Sequence, residues 1–212
     1  MSSPFTHSDL LNGRVYYYKV TAKTQFSESE PSVEATGIPF SNNRRIYVTS
    51  LNNSISTVGS VAGADTICMN DSAKPTQSTV YKALLGDLTG CSGIPCRRAS
   101  ITANAGDGQI DWVFKPNTSY YRSDGTTLIM TTNSNAIFVF GNFTNSITAA
   151  TFFPITGMVG NWTTPSNSNC VNYSFTASGS VLTSTSNLTT TGAISGASMG
   201  CGGSFTLYCV EQ

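Results

Sequence analysis

The sequence predicts an α+β fold of mixed, mostly antiparallel short strands, and three observations carry that expectation. Helical spacing is confined to the early part of the chain's main segment, short strand-like runs follow it, and six cysteines between positions 68 and 209 suit a disulfide-tied domain. Helices early and strands late are not the alternation that builds a parallel sheet. The 212 residues are enough for one full domain and a fragment of another. Residues 1–40 read as a two-stranded β-sandwich remnant with its linker, and residues 41–212 as the main domain.

In the remnant, Val15 to Ala22 alternates, with Tyr16, Tyr18, Val20 and Ala22 on one face and Tyr17, Lys19 and Thr21 on the other. Asn12-Gly13 is a tight-turn signal before it. Ser27 to Pro31 is a polar turn, Ser32 to Thr36 a second short strand, and Gly37-Ile38-Pro39 the linker. The run Leu11-x-Gly13-x-x-Tyr16-x-Tyr18-x-Val20-x-Ala22, followed by Ser27-Glu28 and Pro31-Ser32, resembles the last two strands of a fibronectin type III domain. Two strands alone bury little, so this piece is expected to be loosely held or to need a neighbour.

The main domain opens with a strand, Arg45 to Leu51, with Ile46 and Val48 on one face and Tyr47 and Thr49 on the other. Gly59 to Asp71 follows as a helix, because Val61, Ala64, Ile67 and Cys68 fall on one stripe. A second helix is expected from Ser78 to Asp87, with Val80, Tyr81, Leu84, Leu85 and Leu88 facing inward. Strands are then expected at Ile110 to Phe114, Leu128 to Thr131 and Ala136 to Phe140. The tail SFTLYCVEQ is a last strand, with Phe205, Leu207 and Cys209 alternating toward one face. The long polar connection from Asn142 to Ser204 must be tied down or functional.

Composition excludes several functions. Eleven basic and eleven acidic residues balance, and residues 125–212 hold one charge, Glu211, beside 29 Ser or Thr. A nucleic-acid binder needs clustered Lys and Arg, so none is expected. No apolar run is long enough to span a bilayer, and no leader is visible at MSSPFTHSDLL. Any membrane contact is expected from an anchor upstream of Met1. Zinc needs paired Cys and His ligands, whereas the one tight pair, Cys91 and Cys96, is far from the only histidine, His7. Neither a metal nor a cofactor is expected. Nucleophilic catalysis lacks a base beside any nucleophile, and no phosphate-binding glycine loop occurs. A hydrolase using Asp107, Asp111 or Asp124 would need two facing carboxylates; Asp107 and Asp111 read as turn and strand-edge residues, a remote pair such as Asp65 with Asp124 is the alternative left open, and the chain is read as non-enzymatic. An even cysteine count favours three disulfides and an oxidising compartment. Six cysteines allow fifteen pairings, with Cys91–Cys96 favoured locally because Gly93 and Pro95 can turn the chain.

The helix GADTICMND, the final CGGSFTLYC and the strand within it resemble the C-type lectin-like fold, and more closely its endostatin branch. IYVTSLNNSISTVGSVAGADTIC, TVYKALLGDL and CGGSFTLYCVE carry the likeness, which spans residues 46–211. It is strongest to the leptospiral endostatin-like proteins, a spirochaete surface family whose domain has no assigned function. The resemblance implies the pairing Cys68–Cys209 and Cys170–Cys201, which leaves Cys91–Cys96 as an additional local bridge. It also implies an exported bacterial surface or secreted module that adheres to host extracellular-matrix or plasma proteins. Calcium-dependent sugar binding is not carried over, because NWTTPSNSNC and SGASMGC hold no acid where calcium needs oxygen ligands. A calcium-independent site for sulfated, heparan-sulfate-like glycans is the alternative. Its candidate residues are Arg44, Arg45, Arg97 and Arg98, with Lys82 and Arg122 as neighbours and Trp162 as a stacking platform, although a tryptophan beside glycine more commonly fills a core.

Overall fold

The computed structural model describes residues 6–7, 10, 14–37, 43–50, 52–75, 79–174 and 179–212. It divides the chain into two compact units, Met1–Asn42 and Asn43–Gln212.

The first unit is a hairpin. Strand β1 (Tyr16–Tyr18) runs antiparallel to β2 (Ala35–Gly37), with Tyr17 opposite Thr36. Beyond the strands the ladder continues through serine hydroxyls: Ser32 Oγ accepts from Val20 N–H at 3.1 Å and Ser29 Oγ from Ala22 N–H at 2.9 Å. Ion pairs Lys19–Glu34 and Lys23–Glu28 flank it. Val33 and Phe26 are more than 90 % exposed, as expected of two strands with no second layer. The Asn12-Gly13 turn and the Ile38-Pro39 part of the linker lie outside the described residues.

The second unit is a mixed α+β domain. In chain order it comprises β3 (Asn43–Val48), β4 (Asn53–Ser54), α1 (Ile55–Val58), α2 (Val61–Asn70), β5 (Tyr81–Ala83), β6 (Ser119–Tyr121), β7 (Leu128–Thr131), β8 (Pro154–Ile155), β9 (Ser180–Leu182), a single 3-10 turn at Thr191–Ala193, β10 (Ser198–Gly200) and β11 (Ser204–Glu211). Ser60 caps α2 by accepting from Gly63 N–H, and Val61, Ala64 and Cys68 are the buried stripe.

Strand β11 is the hub. It pairs antiparallel with β3, β4 and β5 and parallel with β8, so that Cys209 lies between Tyr47 and Ala83. From β3 the sheet extends through a parallel pairing to β6 and an antiparallel one to β7. Side chains on β11 sort by period two into separate cores. Phe205, Leu207 and Cys209 join Tyr47, Tyr81, Ile55, Val61 and Ala64 beneath the helices. Tyr208 and Val210 join Ile46, Val48 and an aromatic cluster built on Trp112, Phe114, Phe138 and Trp162. Both faces of β11 are therefore buried, not only the one that the Phe205, Leu207, Cys209 alternation marks.

Three expected elements differ. The helix expected from Ser78 to Asp87 is strand β5 followed by irregular chain; Ser78 itself lies outside the described residues. Pairing with β11 overrides the helical stripe: Ala83 and Leu85 enter one core, Leu84 the other, and Val80 is half exposed. The strand expected at Ile110 to Phe114 is reduced to one bridge between Ile110 and Arg98, and Ala136 to Phe140 is irregular. In each, three successive side chains (Trp112 to Phe114 and Ala136 to Phe138) are buried in the same core, which a pleat cannot do. Indole N–H groups hold these loops, Trp112 Nε1 donating to Ala136 O at 2.8 Å and Trp162 Nε1 to Phe138 O at 3.1 Å.

Three disulfides join Cys68 to Cys209, Cys170 to Cys201 and Cys91 to Cys96. The first closes a loop with a sequence separation of 141 and the last one of only 5. Chain-entropy arithmetic assigns about 5 kcal/mol to the former and about 2 kcal/mol to the latter. Cys209→Ser is therefore expected to lower the denaturation midpoint more than Cys96→Ser, and urea titrations of the two variants decide it.

Candidate functional site

The four candidate arginines do not share a surface. Arg97 is fully buried and spends every N–H inside the domain. Nη1 donates to Asp65 Oδ1 at 2.8 Å and Ala83 O at 2.7 Å, Nη2 to Asp65 Oδ2 at 2.7 Å and to Asp111 Oδ2, and Nε to Asp111 O at 3.0 Å. A guanidinium has five N–H donors, and here all are used. Burial alone would lower its pKa, but the two carboxylates more than offset that and raise it. The expectation that Arg97 lines a binding surface is therefore corrected: it clamps α2, β5 and the 111 loop together.

Trp162 is corrected in the same way. It is completely buried and meets Phe138 edge-on at 4.4 Å between centroids. Aromatic rings that pack this way form core, and no face remains for an outside ligand. Arg98 is half exposed, and its Nε donates to Gly108 O at 2.7 Å. Arg122 is tied to Ser146. Lys82 pairs with Asp111. Arg45 lies over Gly125, where an added Cβ would sit 2.8 Å from its Nε. Arg44 is half-buried on β3 opposite Tyr120. Beside it, burial and the repulsion of Arg44 and Lys82 lower the Lys115 pKa.

Asp107 and Asp124 have no second carboxylate in the contacts they make, and Asp111 meets Asp65 only through the Arg97 guanidinium that donates to both. Asp107 accepts from Ser100, Ile101 and Thr102, and Asp124 from Thr126 and Thr127. Those hydrogen bonds hold both carboxyls well below the usual range. Asp111, at φ 41°, is lowered by Lys82 and Arg97 against the opposing effect of burial. Among the described residues no group of three or more His, Cys, Asp or Glu could hold a metal.

Two cavities open on the neutral part of the domain. One, of about 260 Å³, is lined by Leu88, Thr89, Ser166, Asn167, Asn172 and Ser180 among others. Its wall contains a turn of left-handed helix: Cys170, Val171, Asn172 and Tyr173 have φ between 50° and 59°, and Tyr173 N–H donates to Asn169 O at 2.7 Å. Such residues cost about 1–2 kcal/mol each. Cys170–Cys201 and the Tyr173 hydroxyl, 2.9 Å from Gly86 O, hold the turn in place. Asn172 Oδ1 accepts from Leu88 and Thr89 N–H, which attaches the opposite wall. The second cavity, of about 290 Å³, is lined by Asn52, Thr151, Phe152, Phe153, Met199, Ser204 and the adjoining part of β11. Phe152, Phe153 and Met199 are 37 %, 56 % and 43 % exposed. Sequence reading missed this patch, although TFFP, two adjacent phenylalanines in a stretch without charge, was its signal.

Arg97→Ala is expected to cost about 3 kcal/mol, because Asp65 and Asp111 lose a buried partner while retaining some access to water. Arg98→Ala is expected to stay within about 0.5 kcal/mol of the parent; chemical denaturation separates the two. Asp107 and Asp124 have folded pKa values below their unfolded ones, so their contribution is complete above about pH 4 and is lost as pH falls from there. Asp107→Asn and Asp124→Asn are thus expected to flatten the acid limb of a melting-temperature profile while lowering its neutral plateau.

A family model described as "Protein of unknown function (DUF1554)" matches residues 50–194. The match takes in both helices, the Arg97 clamp, the aromatic core and the left-handed turn. No curated protein matches the chain. Since the matched segment is more than half of the 212 residues, the chain belongs to the DUF1554 family.

Proposed function

We propose that the protein is a non-enzymatic, exported binding module of a bacterial surface, with the endostatin-like variant of the C-type lectin-like fold, that adheres to host extracellular-matrix or plasma proteins. Three disulfides, and no helix among the described residues long and apolar enough to cross a membrane, are consistent with an extracytoplasmic protein. The hairpin unit suits a stalk made of fibronectin type III modules.

The observation that carries the reading is the exposed Phe152, Phe153 and Met199 patch around a cavity without a charged lining residue. Aromatic residues and methionine are enriched, and charge is depleted, at the centres of protein interfaces. Exposed apolar groups clustered in this way mark partner sites. A sulfated glycan would need the arginines instead, and Arg97 is unavailable to it.

The full chain is expected to bind at least one member of a panel of matrix and plasma proteins. Phe152→Ser with Phe153→Ser should weaken that binding at least about tenfold, while Arg44→Ala with Arg98→Ala and added heparin leave it unchanged. Binding lost to the arginine substitutions and to heparin, but not to the phenylalanine ones, would replace this reading with the sulfated-glycan one. The amide- and hydroxyl-lined cavity at 166–180 favours a second reading, a neutral glycan; a glycan array with and without chelator tests it.

A further inference from the structure

The three disulfides differ in what can reach them. Cys68, Cys209, Cys170 and Cys201 are each 2 % exposed or less, whereas Cys91 is exposed and Cys96 half-buried. Cys91 begins a tight hairpin: its N–H donates to Ile94 O at 2.9 Å, and Ile94 N–H returns to Cys91 O at 3.1 Å. Ser92 and Gly93 between them have φ 53° and 85°, the left-handed pair of a type I′ turn. The bridge is thus open to solvent at its Cys91 end, on a short turn, while Cys96 rests against the core, and thiol–disulfide exchange requires such access. A loop this small also contributes least to holding the chain folded.

The hairpin is joined to the neutral cavity. Asp87 Oδ1 accepts from Cys96 N–H at 2.7 Å, and Asp87 N–H donates to Arg97 O at 3.0 Å. Gly90 sits where these groups converge, since an added Cβ would lie 2.7 Å from Asp87 Oδ2, 3.2 Å from Cys96 Sγ and 3.4 Å from Asn172 Cβ. Leu88 and Thr89, between Asp87 and Gly90, line the cavity and donate to Asn172 Oδ1. One segment, 87–96, therefore carries both the reachable bridge and one cavity wall.

We propose that Cys91–Cys96 is a thiol-exchange site for small thiols, and that its opening releases the Leu88–Thr89 wall. A thiolate attacks Cys91 Sγ. The Cys91–Cys96 bond breaks as the new sulfur–sulfur bond forms, and Cys96 leaves as a thiolate that takes a proton from water. A second thiolate then attacks the sulfur of the first thiol, yielding the oxidised thiol dimer and a Cys91 thiolate. Two thiols are oxidised and one protein disulfide is reduced.

The test incubates the full chain, under folding conditions, with reduced glutathione and alkylates freed thiols at short times before peptide mass mapping. Cys91 glutathionylated with Cys96 alkylated, followed by alkylation of both, is the expected sequence, at least about 100-fold faster than at the other four cysteines, which await unfolding. Release of all six together, or resistance equal to that of the buried bridges, overturns the exchange site. Glutathione on Cys96 with Cys91 alkylated overturns the point of attack. Hydrogen exchange reads the second half: faster exchange at the Leu88 and Thr89 amides after reduction, and likewise in Cys91→Ser with Cys96→Ser without thiol, is expected. Unchanged protection at both amides overturns the coupling to the cavity wall.

Discussion

Cys68 and Cys209 fasten the longest strand of the domain to its principal helix, and that strand then separates two cores. Its partners β3, β5 and β8 all contribute core residues, and Tyr47 and Tyr81 meet edge-on beneath it at 5.1 Å. The helices cover one face. The other is covered not by a second layer of regular structure but by loops that insert Trp112, Phe114, Phe138 and Trp162 side by side. Regular pairing organises the centre of the domain, and indole hydrogen bonds and ring packing organise its periphery.

Charge is sparse, and one guanidinium is fully buried. Arg97 gathers two carboxylates and a strand carbonyl at one point, and it does so beside the junction of α2 and β5. A buried ion group of this kind adds little net stability over apolar residues of equal size. Its hydrogen bonds tie the 111 loop to α2 and β5. Away from it the surface is built from amides and hydroxyls, several of which close turns by accepting backbone N–H groups.

Much of this was legible in the sequence, for identifiable reasons. The α2 stripe of Val61, Ala64 and Cys68 and the apolar runs of β3 and β11 report burial directly, because their period matches their element. The 78–88 segment misled because Leu84 and Leu85 stand next to each other: a helix would place both on one side, whereas a strand buried on both faces accepts them in opposite cores. Trp112, Phe114 and Phe138 announced core without announcing conformation, since irregular backbone leaves no period to read. Arg97 was indistinguishable from Arg98 as a letter. Only the fold shows that one turns inward to Asp65 and the other outward to Gly108. The left-handed turn at 170–173 had no signal beyond Asn172, because its conformation is imposed by a bridge to Cys201 and a hydroxyl contact far away in sequence.

The place of β11 at the end of the domain has a consequence for biosynthesis. Chains emerge from the ribosome from the N-terminal end, and pairings between distant residues form slowly even in a finished chain. Here β3, β4, β5 and β8 all wait for residues 204–211, and the helix cysteine waits for Cys209. Neither core can close on a nascent chain that lacks its last strand. Until then the polypeptide lacks the strand that both cores share, and the Cys68 thiol has no native partner with which to be oxidised.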